Sequence, residues 1–169
     1  MSRARLKKIL AEMPAEQMAE MVLELYDARK DAREYLEFWQ EPDAQKALEK
    51  ARKGVEKVFF TSPDRPRRRP SLTDLNKIVK DFTTMVFDRV PVADLLIHVA
   101  ETQADWLDTR WRRLSYRTSL HKHIDTAALY LEQAFPDNPD GTPDPEGEGL
   151  ALRLSRARDH AAALYPYRW

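Results

Sequence analysis

Glycine and proline are nearly absent from long stretches of this chain and crowd into one place, which limits what the chain can fold into. Of four glycines in 169 residues, Gly141, Gly147 and Gly149 fall between 136 and 149, with Pro136, Pro139, Pro143 and Pro145 beside them. Most other prolines stand where one amphipathic stretch gives way to the next. A helix interior tolerates these two residues least, so the chain reads as helix after helix with breakers at the joints. No stretch alternates apolar and polar residues over strand length, and no sheet is expected. The fold class is all-α, with seven or eight amphipathic helices in antiparallel hairpins, as a bundle or a short solenoid-like array. No repeat of fixed period is visible, which weighs against the solenoid.

The apolar periodicity locates the helices. Leu6, Ile9, Leu10 and Met13 mark a short one that stops before Pro14, which then opens the next with Glu16 and Glu20 at its positive end. From Met18 to Trp39 the spacing stays helical. Asp31 followed by Glu34 has the form of a capping box, so two helices with a break near 30 are expected over 15–40. Further stripes run from Ala44 to Phe59 and from Leu72 to Val86, the latter capped by Ser71. Others run from Pro91 to Leu107, from Leu120 to Ala134, and from Leu150 to Leu164. Residues 61–70, Thr-Ser-Pro-Asp-Arg-Pro-Arg-Arg-Arg-Pro, read as an irregular linker because three prolines remove donors and lock φ. Residues 136–149 read as an acidic Gly/Pro-rich loop. The whole, 1–169, is expected to form a single helical domain.

A chain with 43% hydrophobic residues is no disordered polyelectrolyte. No apolar run approaches the length that crosses a bilayer, so no membrane partner is expected. The start, Met1 to Lys8, has basic residues but neither an apolar core nor a cleavage site. With no cysteine anywhere, disulfides, thiol catalysis and thiolate metal sites are excluded. These observations predict a cytoplasmic protein. Bases and acids balance at 28 each, so no net field attracts nucleic acid. The charge is nevertheless segregated: four arginines lie within 65–69, four arginines and a lysine within 110–122, and six acids without a base within 132–148.

Candidate sites follow from that segregation. Asp94, His98, Glu101 and Asp105 are spaced four, three and four, on one side of a helix, and carboxylate–imidazole sets of this kind can hold a transition metal. One helix cannot close a coordination sphere, and the alternative is a solvated face opposite Val92, Leu95, Val99 and Trp106. His121 and His123 point to different faces and cannot share an ion. The acidic loop fails as an EF-hand anchored on Gly141, which puts Pro136 first and Gly147 last, or on Gly147, which puts Thr142 first and Arg153 last, because those positions need oxygen ligands and the last a bidentate carboxylate. No serine sits in a Gly-flanked nucleophile elbow. No catalytic residue, cofactor or metal ligand is therefore assigned. The basic segments offer more. Arg65, Arg67, Arg68 and Arg69 form one cluster, and Arg110, Arg112, Arg113, Arg117 and Lys122 interleave with Trp111 and Tyr116 in another. Cations neutralise phosphates and aromatic faces stack on bases, although the aromatics could equally be core residues rimmed by arginine.

Leu6-Lys7-Lys8, Leu23-Glu24-Leu25-Tyr26, Glu34-Tyr35-Leu36-Glu37-Phe38 and Pro42 together resemble the opening of a bacterial all-helical family of unknown function. Val92-Ala93-Asp94-Leu95-Leu96 resembles its second block, and Tyr165-Pro166-Tyr167 its aromatic tail. The resemblance implies an all-helical cytoplasmic domain and carries no activity. Its tyrosines, tryptophans and arginines are the residues that dominate interfaces, so the expected function is a non-enzymatic module that binds a protein partner or itself. Nucleic-acid binding through 65–69 and 110–122 is the alternative, and a metal-dependent helical enzyme the third.

Overall fold

The computed structural model describes residues 2–109, 114–136 and 144–164. The chain divides into two compact units, Met1–Asp43 and Ala44–Trp169.

The first unit holds α1 (Arg3–Glu12), α2 (Ala15–Ala28) and α3 (Lys30–Gln40). The Ser2 hydroxyl opens α1 by accepting from the Arg5 amide at 3.4 Å. The break expected near 30 is present at Arg29, whose φ of −132° and ψ of 115° are extended. Its cause is not a capping box. The Asp31 carboxylate instead accepts from the Arg29 guanidinium at 3.3 Å, and no side chain caps α3. Tyr26 joins α2 to α3: its hydroxyl donates to Glu37 at 2.9 Å, and its ring lies 4.9 Å beneath the Arg33 guanidinium. None of the three helices buries a residue.

The second unit is built around α6 (Arg89–Thr109), which packs on α4 (Ala44–Phe59), α5 (Leu72–Met85), α7 (Leu114–Ala134) and α8 (Pro145–Leu164). Neighbours on so many sides bury Val92, Leu95, Leu96, Ile97, Val99 and Leu107, among others. That surrounds much of the helix rather than leaving one stripe: on its polar side Asp94, His98 and Glu101 are half-buried and Asp105 is exposed. On α5, Ser71 caps as expected, accepting from the Asp74 amide at 3.2 Å.

Two expectations need correction. The segment 61–70 is not an irregular linker, and the expectation of no sheet fails there. Phe60–Ser62 (β1) and Arg65–Pro66 (β2) form a two-stranded antiparallel ribbon with Phe60 opposite Pro66. Pro63 suits the turn between them, and a ribbon of two strands leaves Pro66 an outer edge where no N–H is missed. The loop expected over 136–149 also ends early. Asp144 caps α8, its carboxylate accepting from the amides of Glu146 (2.9 Å) and Gly147 (3.2 Å). Pro145 then takes the first helical position, where its missing donor costs nothing. Gly147 is buried inside this helix. A Cβ there would lie 2.9 Å from the Phe135 ring, so the glycine serves close packing between α8 and the end of α7 rather than chain flexibility.

Candidate functional site

The first arginine segment is strapped to the core by its own main chain. The Arg67 amide donates to the Phe59 carbonyl at 2.7 Å and its guanidinium Nε to the Lys57 carbonyl at 2.8 Å, closing the last turn of α4. The Arg67 carbonyl accepts from the Trp106 indole at 2.8 Å, and the Pro70 carbonyl from the Tyr116 hydroxyl at 2.8 Å. Beneath these bonds lies an aromatic row, with the Trp106 ring 5.9 Å from Phe59 and 4.7 Å from Tyr116. Gln103, fully buried, donates to the Tyr116 carbonyl at 2.8 Å, and its side-chain oxygen meets His123 Nδ1 at 3.1 Å. With the amide nitrogen committed as donor, that oxygen accepts and His123 carries its proton on Nδ1. Burial, then the nearby Lys122 charge, hold the imidazole pKa down to about 4, so it is neutral.

This network sorts the candidate cations. All four arginines Arg65, Arg67, Arg68 and Arg69 are exposed, and Arg67 is in addition an anchor through its bond to the Lys57 carbonyl. The Tyr116–Pro70 bond brings the two segments together, since Arg69 precedes one end of it and Arg117 follows the other. Lys122 stands about 140° around α7 from Arg117, on another face. Arg110, Arg112 and Arg113 lie outside the described residues, as do Trp111 and Tyr165 to Tyr167. Tyr116 is buried with its hydroxyl engaged, so it is a core residue and not a stacking platform.

The polar side of α6 faces α4 and α8. Asp94 is gripped from both: Arg52 on α4 donates to its two oxygens at 2.5 and 2.6 Å, and Arg153 on α8 to one of them at 2.6 Å. Arg153 also makes a two-pronged contact with Glu101, at 3.0 and 2.6 Å. These hydrogen bonds, those to Glu101 foremost, push the Arg153 pKa up and keep it cationic. The Arg52 Nε is buried without a partner among the described residues. His98 sits 3.6 Å from Glu56, and desolvation, then the Arg52 charge, lower its pKa. Asp105 pairs with His160 at 3.6 Å. His98, Glu101 and Asp105 thus face different partners, and a cation at Asp94 and Glu101 would have to displace Arg153. Among the described residues no group of three could hold a metal ion. The chemistry of the set is an ion-pair ladder joining three helices. Arg52 and Arg153 were visible in sequence only as cations beside the apolar positions Ala51, Val55, Leu150 and Leu154.

Residues 1–133 match a family of unknown function, DUF6155. The chain belongs to this family. The matched stretch runs through 61–70 and ends before 136–149. No curated protein and no solved structure matches the chain. Among the described residues no helix is long and apolar enough to cross a membrane.

Proposed function

We propose that the protein is a cytoplasmic, non-enzymatic interaction module whose binding surface is carried by α1–α3. The observation behind this reading is that three amphipathic helices in a row bury no residue. Val22, Leu23, Leu25 and Trp39 stand open to solvent, Trp39 at 73%. Large apolar side chains left in solvent on successive helices suit surfaces that bind other macromolecules, and aromatic anchors such as Trp39 supply much of the energy when they do. Cross-linking of the full chain in its source cells tests it. Intermolecular links from Lys7, Lys8 and Lys30 are expected, and they should vanish in a Val22→Ser/Leu25→Ser/Trp39→Ser variant. A wild-type chain that forms no intermolecular links there would overturn the reading.

A second reading, nucleic-acid binding, is favoured by the Tyr116–Pro70 bond, which ties the exposed arginine segment 65–69 to α7. Its surface is Arg65, Arg68, Arg69 and Arg117, with phosphate contact rather than base stacking as the mode. Replacing Arg65, Arg68 and Arg69 with Ser should then reduce the slope of log affinity against log salt on single strands, by about 0.7 per lost contact. Wild-type protein without salt-dependent binding would end this reading.

A further inference from the structure

Charge is sorted between the two ends of the second unit. At one end the last turn of α4, the ribbon and the starts of α5 and α7 gather at the end of α6. The Trp106 ring lies 5.9 Å from Phe59 and 4.7 Å from Tyr116, whose hydroxyl holds the Pro70 carbonyl. These segments carry Lys57, Arg65, Arg67, Arg68, Arg69 and Arg117 against Asp64, Asp74 and Asp108. At the other end the starts of α6 and α8 meet the end of α7. A Cβ at Gly147 would lie 2.9 Å from the Phe135 ring, and Arg153, less than two turns further along α8, reaches Asp94 at 2.6 Å. Asp88, Glu132, Asp144, Glu146 and Glu148 are exposed there, and Arg89 is the one base in those first and last turns. Each end also leaves a large apolar side chain in solvent: Phe87, 79% exposed beside Asp88, and Leu114, 73% exposed as the first residue of α7. The ends stand about 30 Å apart, the length of α6, so they do not meet within one copy.

We infer that a second copy of this chain docks end to end, the acidic end with Phe87 of one copy on the basic end with Leu114 of the next. The contact lies wholly in the second unit, so it goes beyond the reading of α1–α3 and does not rest on it. Opposite charges steer the two ends together and exclude like-to-like pairing. Phe87 supplies the apolar anchor, and its ring face accepts a guanidinium from the arginine segment. Nucleic acid would use the basic end alone and leave the acidic end and Phe87 without a role, whereas a second copy uses both. Unlike surfaces meet in such a contact, so it is heterologous, and copies add in a row rather than closing at two.

Sedimentation velocity on the nuclease-treated full chain, over a wide concentration series, tests the inference. In low salt the mean mass of wild type should rise with concentration. It should fall back in about 1 M salt, where the screening length is only about 3 Å. Two reversals, Arg65→Glu/Arg68→Glu/Arg69→Glu and Glu132→Lys/Glu146→Lys/Glu148→Lys, should each weaken association by about tenfold or more, since like charges then face each other. Both sets are exposed and spare the anchor Arg67 and the caps Asp88 and Asp144, so unchanged thermal melts are expected. Mixed one to one, the two variants should associate again, because the first keeps the native acidic end and the second the native basic end. Phe87→Ser should weaken association by about fivefold or more, while Val22→Ser/Leu25→Ser/Trp39→Ser should leave it unchanged. A wild-type monomer at every concentration in low salt, association indifferent to either reversal, or a mixture that stays monomeric would overturn the end-to-end contact. Association that nuclease abolishes would overturn it in favour of nucleic acid on the arginine segment. Association lost in the Val22/Leu25/Trp39 variant would overturn it and leave the α1–α3 surface standing.

Discussion

His123 is the residue whose burial should be easiest to read in solution. Its folded pKa is about 4, against about 6.5 for a free imidazole. Between those values the unfolded chain binds a proton that the folded chain refuses. Stability is therefore complete above pH about 6.5 and falls as pH drops towards 4, by an amount on the order of 3 kcal/mol. His98, shifted in the same direction, adds to the fall. Urea titrations across that range should show a shallower decline for His123→Phe than for wild type. Equal slopes would place His123 in water. The two glycines of α8 give opposite expectations. Gly149→Ala meets nothing within 4 Å and should raise stability by about 0.5–1 kcal/mol, the usual helix preference. Gly147→Ala should lower it, because the new methyl runs into Phe135; thermal melts of the pair that moved together would contradict this packing. A count of glycines assigned both to a loop. The start signal was nevertheless present, since Asp144-Pro145 is a capping residue followed by a first-turn proline.

At the scale of elements, periodicity revealed helices and missed what surrounds them. The breaks at Pro14, Arg29 and Pro42 and the Ser71 cap were legible because they depend on neighbouring residues only. The face assignment on α6 was not, because a helix packed on four sides loses its single stripe. The ribbon at 60–66 was hidden by its prolines, which exclude a central strand but permit an edge. The same limit applied to the candidate site. Four arginines were visible in 65–69, yet the role of Arg67 depends on reaching the Lys57 carbonyl across the ribbon, a contact that no local pattern encodes. Arg67→Ser should therefore cost about 1–2 kcal/mol, since it frees a carbonyl at the end of α4. The triple change Arg65→Ser/Arg68→Ser/Arg69→Ser should stay within about 0.5 kcal/mol of wild type, as exposed charges do. Chemical denaturation separates the two, and an equal cost would mean that all four arginines are anchors. Likewise, a row of acids on α6 suggested ligands because the guanidinium partners lie 42 and 59 residues from Asp94.

For the molecule as a whole, the two units contrast in how their residues are held. Residues 44–169 close a core around Trp106, Leu96 and Phe82, whereas residues 1–43 have amphipathic helices without buried side chains. A segment of about 40 residues whose helices bury no residue has little core of its own to stabilise it. The all-α class was readable from the chain, because helical spacing is a local property, and the resemblance to a helical family of unknown function agrees with the family that matches residues 1–133. That the N-terminal stripes are at most half-buried was not readable, since a stripe looks the same however deeply it is covered. Hydrogen exchange of the full chain at increasing concentration tests this contrast most directly. The amides of α1–α3 should exchange quickly, while those of α6 and α7 stay slow throughout. Amides of α1–α3 as protected as those of α6 at every dilution would contradict the account.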